Sequence, residues 1–334
     1  MKKLLIILAI ILSSVVGWYS YSLLPLDPSD EARRPLTIRS GLSVSDIGAL
    51  LEQKGIILSA RAFSLYVRLH GAQTALQAGD FLLQPSLSVP EIVTALKRGY
   101  SEEATVTIPE GFTVGDIDAL LAKKGLIEAG AFTKCAQECG LSAYAFLPTV
   151  KGRAKRGGKV EGYLFPDTYL VLSDRFSPED FLKRLLDTFR SRVVTGLAGD
   201  LSSSKHSLQE IITMASLIEE ETKTDDERPI VSGILWKRFT AKTGLGVDAT
   251  VRYVLEKPTI ALTEKDLDID SPYNLRKYRG LPPGPIANAG LASIKAALHP
   301  QDSDYWYYLH DKSSVIHYAE TNEEHNRNKV LYLR

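Results

Sequence analysis

The sequence predicts an α+β protein in three parts: a single N-terminal transmembrane helix, a small β-α-α-β module and a larger, mixed α+β domain. Three observations indicate this. The chain starts with a long uncharged apolar segment, it contains an internal strand–turn–helix repeat, and its second half mixes short strands with amphipathic helices. Its 334 residues allow about two domains, each with a core of its own.

The apolar segment covers residues 4–24 and follows two lysines. As a helix it would be about 31 Å long, which is enough to cross a hydrocarbon layer of about 30 Å. Three aromatic residues lie near its distal end, where interfacial aromatics belong. A cleaved signal peptide is the alternative, but its apolar core would be shorter. We therefore expect a cytoplasmic tail (1–3), a membrane-spanning helix (4–24) that makes the lipid bilayer a partner, and an extracytoplasmic or periplasmic remainder.

Charge and the number of cysteines and histidines exclude several classes of protein. Lys plus Arg and Asp plus Glu each number 40, so there is no overall basic field to attract nucleic acid. Cys135 and Cys139 are spaced i, i+4, and helical neighbours lie too far apart for a disulfide, so we expect both to be packing residues. The histidines do not show metal-ligand spacing, and we expect neither a metal site nor a cofactor.

An internal repeat organises the segment that follows. Residues 38–57 and 108–127 share 11 identities in 20 aligned positions. Each copy is predicted to form a short strand, a glycine-containing turn and a helix that ends at a second glycine. The turn glycines are Gly41 and Gly111, and the terminal glycines are Gly55 and Gly125. A related strand–turn–helix pattern at 78–99 closes the first unit, and a weaker one occurs at 161–186.

These patterns set the predicted domain boundaries. After a proline-rich linker (25–35), residues 36–103 resemble a LysM-like module, a small β-α-α-β domain that binds N-acetylated sugars in many proteins. The alternative is that this module only spaces the next domain away from the membrane. Residues 104–334 form the larger domain, with helices predicted over 180–197 and 207–222 and a hairpin over 305–319.

The helix at 207–222 ends in three consecutive glutamates. On a helical wheel Glu220 points away from the apolar face, whereas Glu219 and Glu221 lie on opposite borders of it. Partial burial at those borders raises the pKa of a carboxyl group towards the range of a proton donor. The wheel does not choose between Glu219 and Glu221, and a solvated acidic helix end is the alternative.

Several motifs together resemble the YceG-like endolytic murein transglycosylase (MltG) family. They are "EGYLFPDTY" (161–169), "ASLIEEET" (215–222), "ERPIVSGILWKRF" (227–239), "SPYN" (271–274), "LPPGPI" (281–286) and "HYAETNEEHN" (317–326). The resemblance covers essentially the whole chain. It implies a lytic transglycosylase, a lyase that cuts the MurNAc–GlcNAc bond of nascent peptidoglycan glycan strands and terminates their elongation. The implied partners are these strands and peptidoglycan synthases.

The resemblance also implies roles for individual residues. It places the catalytic acid at Glu219, which would protonate the glycosidic oxygen and then accept a proton from the C6 hydroxyl, leaving a 1,6-anhydromuramoyl end. The implied substrate-binding residues are Glu221, Tyr273, Asn274, Asp248, Thr250 and Tyr253, the last three on a strand beside the cleft. Gly246 and Ala249 depart from the glutamine and proline that the family has there.

Other interpretations remain open at the level of sequence. "SPYN" is also typical of an Asx-type turn, "LPPGPI" of a structural corner, and the acidic residues of "EGYLFPDTY" of a capping role. The alternatives to a transglycosylase are a non-catalytic, membrane-anchored peptidoglycan-binding scaffold and a hydrolytic muramidase.

Overall fold

The computed structural model describes residues 2–98, 103–149, 157–173, 176–257 and 262–333. The chain divides into two compact units, Met1–Glu102 and Glu103–Arg334. Its strands form three separate two-stranded antiparallel sheets within the described ranges, and helices make up most of the remaining regular structure. The architecture is therefore mixed α+β.

The N-terminal helix corrects the predicted fold class. Helix α1 runs Lys2–Ser22. Among the described residues, no helix combines the length and the apolar character needed to cross a membrane. The prediction of a transmembrane helix over 4–24, on which the predicted bilayer anchoring rested, is therefore wrong.

The first unit continues with a pair of strands that encloses two helices. In chain order its elements are β1 (Arg34–Ile38), α2 (Val44–Gln53), α3 (Ala60–Leu69), β2 (Gly79–Leu83) and α4 (Val89–Arg98). β1 and β2 pair antiparallel, with Leu36 opposite Phe81. Alternate strand residues and one face of each helix meet in a core of their own, because burial follows the strand period of 2 and the helical period of 3.6.

The second unit starts with the same succession of elements. These are β3 (Glu103–Thr107), α5 (Val114–Lys123), α6 (Ala131–Glu138), β4 (Thr168–Leu172) and α7 (Pro178–Phe189). β3 and β4 again pair antiparallel. In both copies the first helix begins with a capping box, formed by Ser43 with Asp46 and by Thr113 with Asp116. The repeat seen in the sequence is thus a repeat of local conformation.

The rest of the second unit consists of helices and a terminal hairpin. The elements are α8 (Ala198–Ser203), α9 (Leu208–Glu221), α10 (Glu227–Thr240), α11 (Ala249–Leu255), α12 (Glu264–Leu267), α13 (Leu291–Leu298), β5 (Tyr307–His310), β6 (Ile316–Ala319) and α14 (Asn322–Tyr332). The predicted helix over 207–222 and the predicted hairpin over 305–319 are both present. Helix α9 packs on α10, α11 and α13 and is the central helix of this unit.

The two cysteines form a disulfide, contrary to the expectation that both only fill space. Their Cα atoms are 4.8 Å apart, within the usual range for a bridge. The prediction assumed that both residues are helical. Helix α6 ends at Glu138, and Cys139 follows it in an extended conformation. Because Cys139 lies outside the helix, its sulfur can approach that of Cys135.

The loop before α13 connects three parts of the second unit through Asn288, which is 1% exposed. The side-chain Oδ1 of Asn288 accepts the N–H of Leu164 (2.8 Å), and Nδ2 donates to the carbonyl of Phe112 (2.7 Å). Its backbone N–H donates to the same Phe112 carbonyl, and its carbonyl accepts the N–H of Gly111. Nearby, Ile286 N–H donates to the Oγ of Ser216 on α9 (3.1 Å). These bonds fix the turn before α5 and the "EGYLFP" segment close to α9.

We expect Gly162→Ala to reduce the free energy of unfolding by about 2–4 kcal/mol, from left-handed backbone strain plus overpacking. Gly162 has φ +84°, and an added Cβ would overlap the ring of Pro285. Gly125→Ala is the matched control, because Gly125 has φ +72° but open space around it, so its cost is strain alone, about 1–2 kcal/mol. Denaturant unfolding of both variants measures the difference, and equal losses would contradict the close contact with Pro285.

Candidate active site

Helix α9 carries the three glutamates at its C-terminal end. A capping box of Ser207 and Glu210 starts the helix, and its residues from Ile211 to Ile218 are all buried. The helix stops at Thr222, which is extended and whose Oγ1 donates to the Ile218 carbonyl (2.7 Å). The glutamates therefore project from the end of a rigid, buried helix.

Glu219 accepts hydrogen bonds from two donors. The backbone N–H of Gly290 donates to Oε2 at 2.9 Å, and Nη2 of Arg228 lies 3.3 Å from Oε1. The side chain of Glu219 is only 8% exposed. Gly290 is the residue at which α13 begins, so the positive end of that helix dipole also faces this carboxylate.

Arg228, on the first turn of α10, is itself fixed from several sides. Its Nε donates to the Oγ of buried Ser293 on α13 (2.9 Å), and Nη1 pairs with Asp225. The Nη2 atom that faces Glu219 also lies 4.0 Å from Oε2 of Glu110. Since the Arg228 side chain is 11% exposed, this guanidinium is a nearly buried cation between the carboxyl groups of Glu219 and Glu110.

Glu221 lies on the other border of α9 and contacts the terminal hairpin. The Tyr308 hydroxyl donates to its Oε2 at 3.0 Å. Burial, with the charges of Asp248 and Glu220 adding to it, raises the pKa of Glu221 to about 7, although the Tyr308 hydrogen bond and the Arg238 charge oppose that rise. Glu221 is therefore a carboxyl group that exchanges its proton near neutral pH.

Glu220 is exposed, as the helical wheel predicted. Its carboxyl group nevertheless lies against the turn before α5, because a Cβ added at Gly111 would be 3.2 Å from Oε1. Loss of hydration, with the charges of Glu219 and Asp116, raises the pKa of Glu220 to about 7. Glu219 and Glu221 are both less exposed than Glu220, again as the wheel predicted.

The segment expected to form a strand beside the site is helical. Residues 249–255 form α11, and Asp248 precedes its first turn, so the prediction of a strand carrying Asp248, Thr250 and Tyr253 is wrong. Gly246, with φ +67°, turns the chain directly before the helix, and the Thr250 hydroxyl donates to the Val247 carbonyl (2.8 Å). This local bonding favours a helix start over continued extension.

The residues of this segment also differ in accessibility. Asp248 accepts two hydrogen bonds from Arg276, at 2.7 and 2.8 Å, and its charge raises the pKa of Glu221. Thr250 is fully buried, and the Tyr253 hydroxyl donates to Glu161 Oε2 at 3.1 Å. Of these predicted substrate-binding residues, Asp248 alone has both an exposed side chain and an electrostatic link to the glutamates.

Tyr273 and Asn274 of the "SPYN" element are buried. Asn274 is inaccessible, and its Nδ2 donates to the carbonyls of Leu267 and Ile269, both at 2.9 Å. Tyr273 is 3% exposed and lies 5.6 Å from the Tyr253 ring, centroid to centroid. These contacts fit the turn interpretation of "SPYN". Through the contact between Tyr273 and Tyr253, the element packs against α11.

Glu161 of the "EGYLFPDTY" motif has a capping role. It is 3% exposed, and its Oε1 accepts the N–H of Val114, the first residue of α5. With its second oxygen bonded to Tyr253, this carboxylate joins the start of α5 to α11. The motif thus links elements around the site.

The sequence interpretation missed three residues of this site: Arg228, Glu110 and Tyr308. Arg228 lies in the motif at 227–239, but no residue pattern there marks it as part of a site. The repeat did distinguish Glu110, because the aligned position in the first copy is Ser40. Tyr308 reaches Glu221 only through the docking of the hairpin, which no local pattern indicates.

We expect Glu221→Gln to make stability less dependent on pH. The raised pKa of Glu221 means that the folded chain holds this proton between the ordinary value of 4.5 and about 7. Its contribution to stability is thus present at low pH and is lost as the pH rises through about 7. The free energy of unfolding of Glu221→Gln relative to the parent chain should therefore be higher at pH 8 than at pH 5.

Denaturant unfolding at the two pH values measures this difference. Glu52→Gln, at an exposed position on α2, is the control and should change with pH as the parent chain does. A pH-independent difference between Glu221→Gln and the parent chain would contradict the assignment of this titration to Glu221.

Comparisons with known proteins agree with the motifs. The sequence profile of the YceG-like family matches residues 36–330. An endolytic murein transglycosylase of Bacillus subtilis is 34% identical over 323 residues, 94% of this chain and 89% of the relative. An endolytic murein transglycosylase of Streptococcus pneumoniae is 30% identical over 95% of this chain, which spans 62% of that longer relative.

A solved structure is also similar. The crystal structure of a yceG-like protein from Listeria monocytogenes matches with a TM-score of 0.63 and 31% identity, covering 90% of this chain and 99% of the other. Both the sequence profile and the relatives extend over nearly the whole chain, across both units. The chain therefore belongs to the YceG-like family.

Proposed function

We propose that the chain is an endolytic murein transglycosylase, a peptidoglycan lyase that cuts glycan strands internally. Its relatives from Bacillus subtilis and Streptococcus pneumoniae carry that name. The structural observation that carries the proposal is the position of Glu219. It projects from the rigid end of α9, nearly buried, with one oxygen on the Gly290 N–H and the other beside Arg228.

In the proposed reaction Glu219 acts first as an acid and then as a base. Its carboxyl proton goes to the glycosidic oxygen as the bond from C1 of MurNAc to that oxygen breaks. Its carboxylate then takes the proton of the C6 hydroxyl while the O6–C1 bond forms. The products are a 1,6-anhydromuramoyl end and a free GlcNAc end, no water is consumed, and Glu219 regains its proton.

A single catalytic carboxyl group is sufficient for this route. Glycoside hydrolases need a second carboxylate to activate water or to attack C1, whereas here the sugar supplies its own nucleophile. The Gly290 N–H and the Arg228 guanidinium hold the Glu219 carboxyl group in one orientation for both steps. Glu221 and Asp248, at the same end of α9, are proposed to contact the substrate, and the buried Thr250, Tyr253, Tyr273 and Asn274 to support them.

The proposed substrate defines where the enzyme acts and with what. Peptidoglycan lies outside the cytoplasmic membrane, so the catalytic unit acts on the extracytoplasmic side. An enzyme that terminates nascent strands uses the product of peptidoglycan synthases, which makes these its proposed partners. The strand–helix–helix–strand module within residues 36–103 is proposed to bind the N-acetylated glycan in the manner of LysM-like modules.

We expect Glu219→Gln to abolish strand cleavage while leaving the chain folded. Glutamine keeps the size of the side chain and can accept the Gly290 hydrogen bond, but it has no proton to transfer. Loss of the acid lowers the rate by at least about 100-fold. Glu210→Gln is the matched control on the same helix, because glutamine also serves in a capping box and cleavage should persist.

Mass spectrometry of digested glycan strands gives the measurement. Anhydro ends are lighter by one water than hydrolytic ends, so water-derived ends would favour a muramidase. Binding to glycan without new ends in the parent chain would favour the scaffold alternative. Undiminished cleavage by Glu219→Gln would contradict the catalytic assignment.

A further inference from the structure

The proposed reaction starts with a proton on Glu219, whose two oxygens face the Gly290 N–H and the Arg228 guanidinium. A nearby group that keeps a proton in the site would support this step. The charge of Glu219 acts on two carboxyl groups among the described residues, those of Glu110 and Glu220. Of these two, the Glu110 carboxyl lies near both Arg228 and Gly290.

Glu110 is placed next to Glu219 by the fold. It lies in the turn before α5, and that turn is bonded to the loop before α13 through Gly111 and Asn288. Nη2 of Arg228 is 3.3 Å from Glu219 and 4.0 Å from Glu110. The Glu110 carboxyl also lies directly against Gly290, the residue whose N–H binds Glu219, because a Cβ added at Gly290 would overlap it.

We propose that Glu110 is the proton-holding partner of Glu219: the two carboxyl groups flank Gly290, share the Arg228 guanidinium, and hold one proton between them in the working enzyme. This inference rests on the proposed function. Two carboxylates in one site cannot both ionise freely, and such a pair keeps a proton to higher pH than either group would alone. Glu110 acts through Glu219 and is thus a positioning residue.

The charges around Glu110 are consistent with a shared proton. Partial burial and the charge of Glu219 raise the pKa of Glu110, the Arg228 charge lowers it, and Asp225 in the loop between α9 and α10 raises it again. Glu219 faces the same Arg228 and also the neighbouring Glu220. The Glu110 side chain is 50% exposed, so the pair can exchange its proton with solvent between turnovers.

The repeat indicates that Glu110 is a feature of the second copy alone. The two copies keep the turn glycine, the capping box and the helix, yet Ser40 occupies the position of Glu110 in the first copy. A turn of this shape therefore forms without a carboxylate at this position. The glutamate occurs in the copy whose turn reaches α9.

The test is the pH dependence of glycan-strand cleavage by the full chain, over about pH 4 to pH 9, with kcat and KM determined separately. In Glu110→Gln the pair loses its like-charge repulsion, so it releases its proton at lower pH. The alkaline limb of the kcat/KM profile should then move down by about one pH unit. A merely structural residue would lower the rate without moving this limb.

Gly290→Ala gives an independent route to the same effect. The added methyl displaces the flexible end of Glu110 but keeps the Gly290 N–H that binds Glu219. The alkaline limb of the Gly290→Ala profile should move in the same direction as that of Glu110→Gln. In the variant that carries both substitutions, the limb should move no further than in Glu110→Gln alone. Glu128→Gln, which removes an exposed carboxylate after α5, is the matched control and should leave the profile unchanged.

An alkaline limb that stays in place in both Glu110→Gln and Gly290→Ala would overturn the proposal, whatever happens to the rate. Additive shifts in the double variant would also overturn it. Failure of the proposed function is distinguishable from both outcomes, because it would appear as an absence of anhydro ends in the parent chain or as full activity of Glu219→Gln.

Discussion

The site depends on the buried hydrogen bonds of Asn288. Its side chain and backbone together connect the turn before α5, the "EGYLFP" segment and the loop that leads into α13. Because the groups are buried, each lost partner would leave an unsatisfied N–H or carbonyl, at a cost of about 1–3 kcal/mol. Such bonds are more directional than apolar contacts, so this single amide sets where Gly290 and Glu110 lie relative to the end of α9.

The electrostatics of the site follow from this placement. Several carboxyl groups and one nearly buried guanidinium meet at the C-terminal end of α9, where the helix dipole itself disfavours negative charge. Burial and neighbouring charges raise the pKa values of Glu220 and Glu221 to about 7, and Glu219 has an N–H group and a cation on its two oxygens. Neighbouring glutamates thus differ through their partners, since the side chains are chemically identical.

The internal repeat shows how one local structure serves two purposes. Both copies use the same capping box and turn glycine, so both build a strand pair around two helices. In the first copy this arrangement has its own core and ends with α4. In the second copy the turn carries Glu110, which lies near Arg228, and the Val114 N–H donates to the Glu161 carboxylate. The same local structure thus contributes to the candidate site through a few polar side chains.

The sequence by itself determined the local elements and part of the site. Capping residues, glycine stops and apolar periodicity predicted the repeat, α9 and the terminal hairpin, and the helical wheel separated Glu219 and Glu221 from Glu220, because these signals act over only a few residues. Local reasoning was wrong for the spanning helix and for the cysteines, and the strand that the resemblance implied for Asp248, Thr250 and Tyr253 is the start of helix α11. For the cysteines and for α11, the end or start of a helix decided the outcome. Only the tertiary structure decided that Arg228, Glu110 and Tyr308 meet the glutamates. These residues come from separate elements, and the long-range hydrogen bonds and packing that join them leave no periodic trace in the sequence.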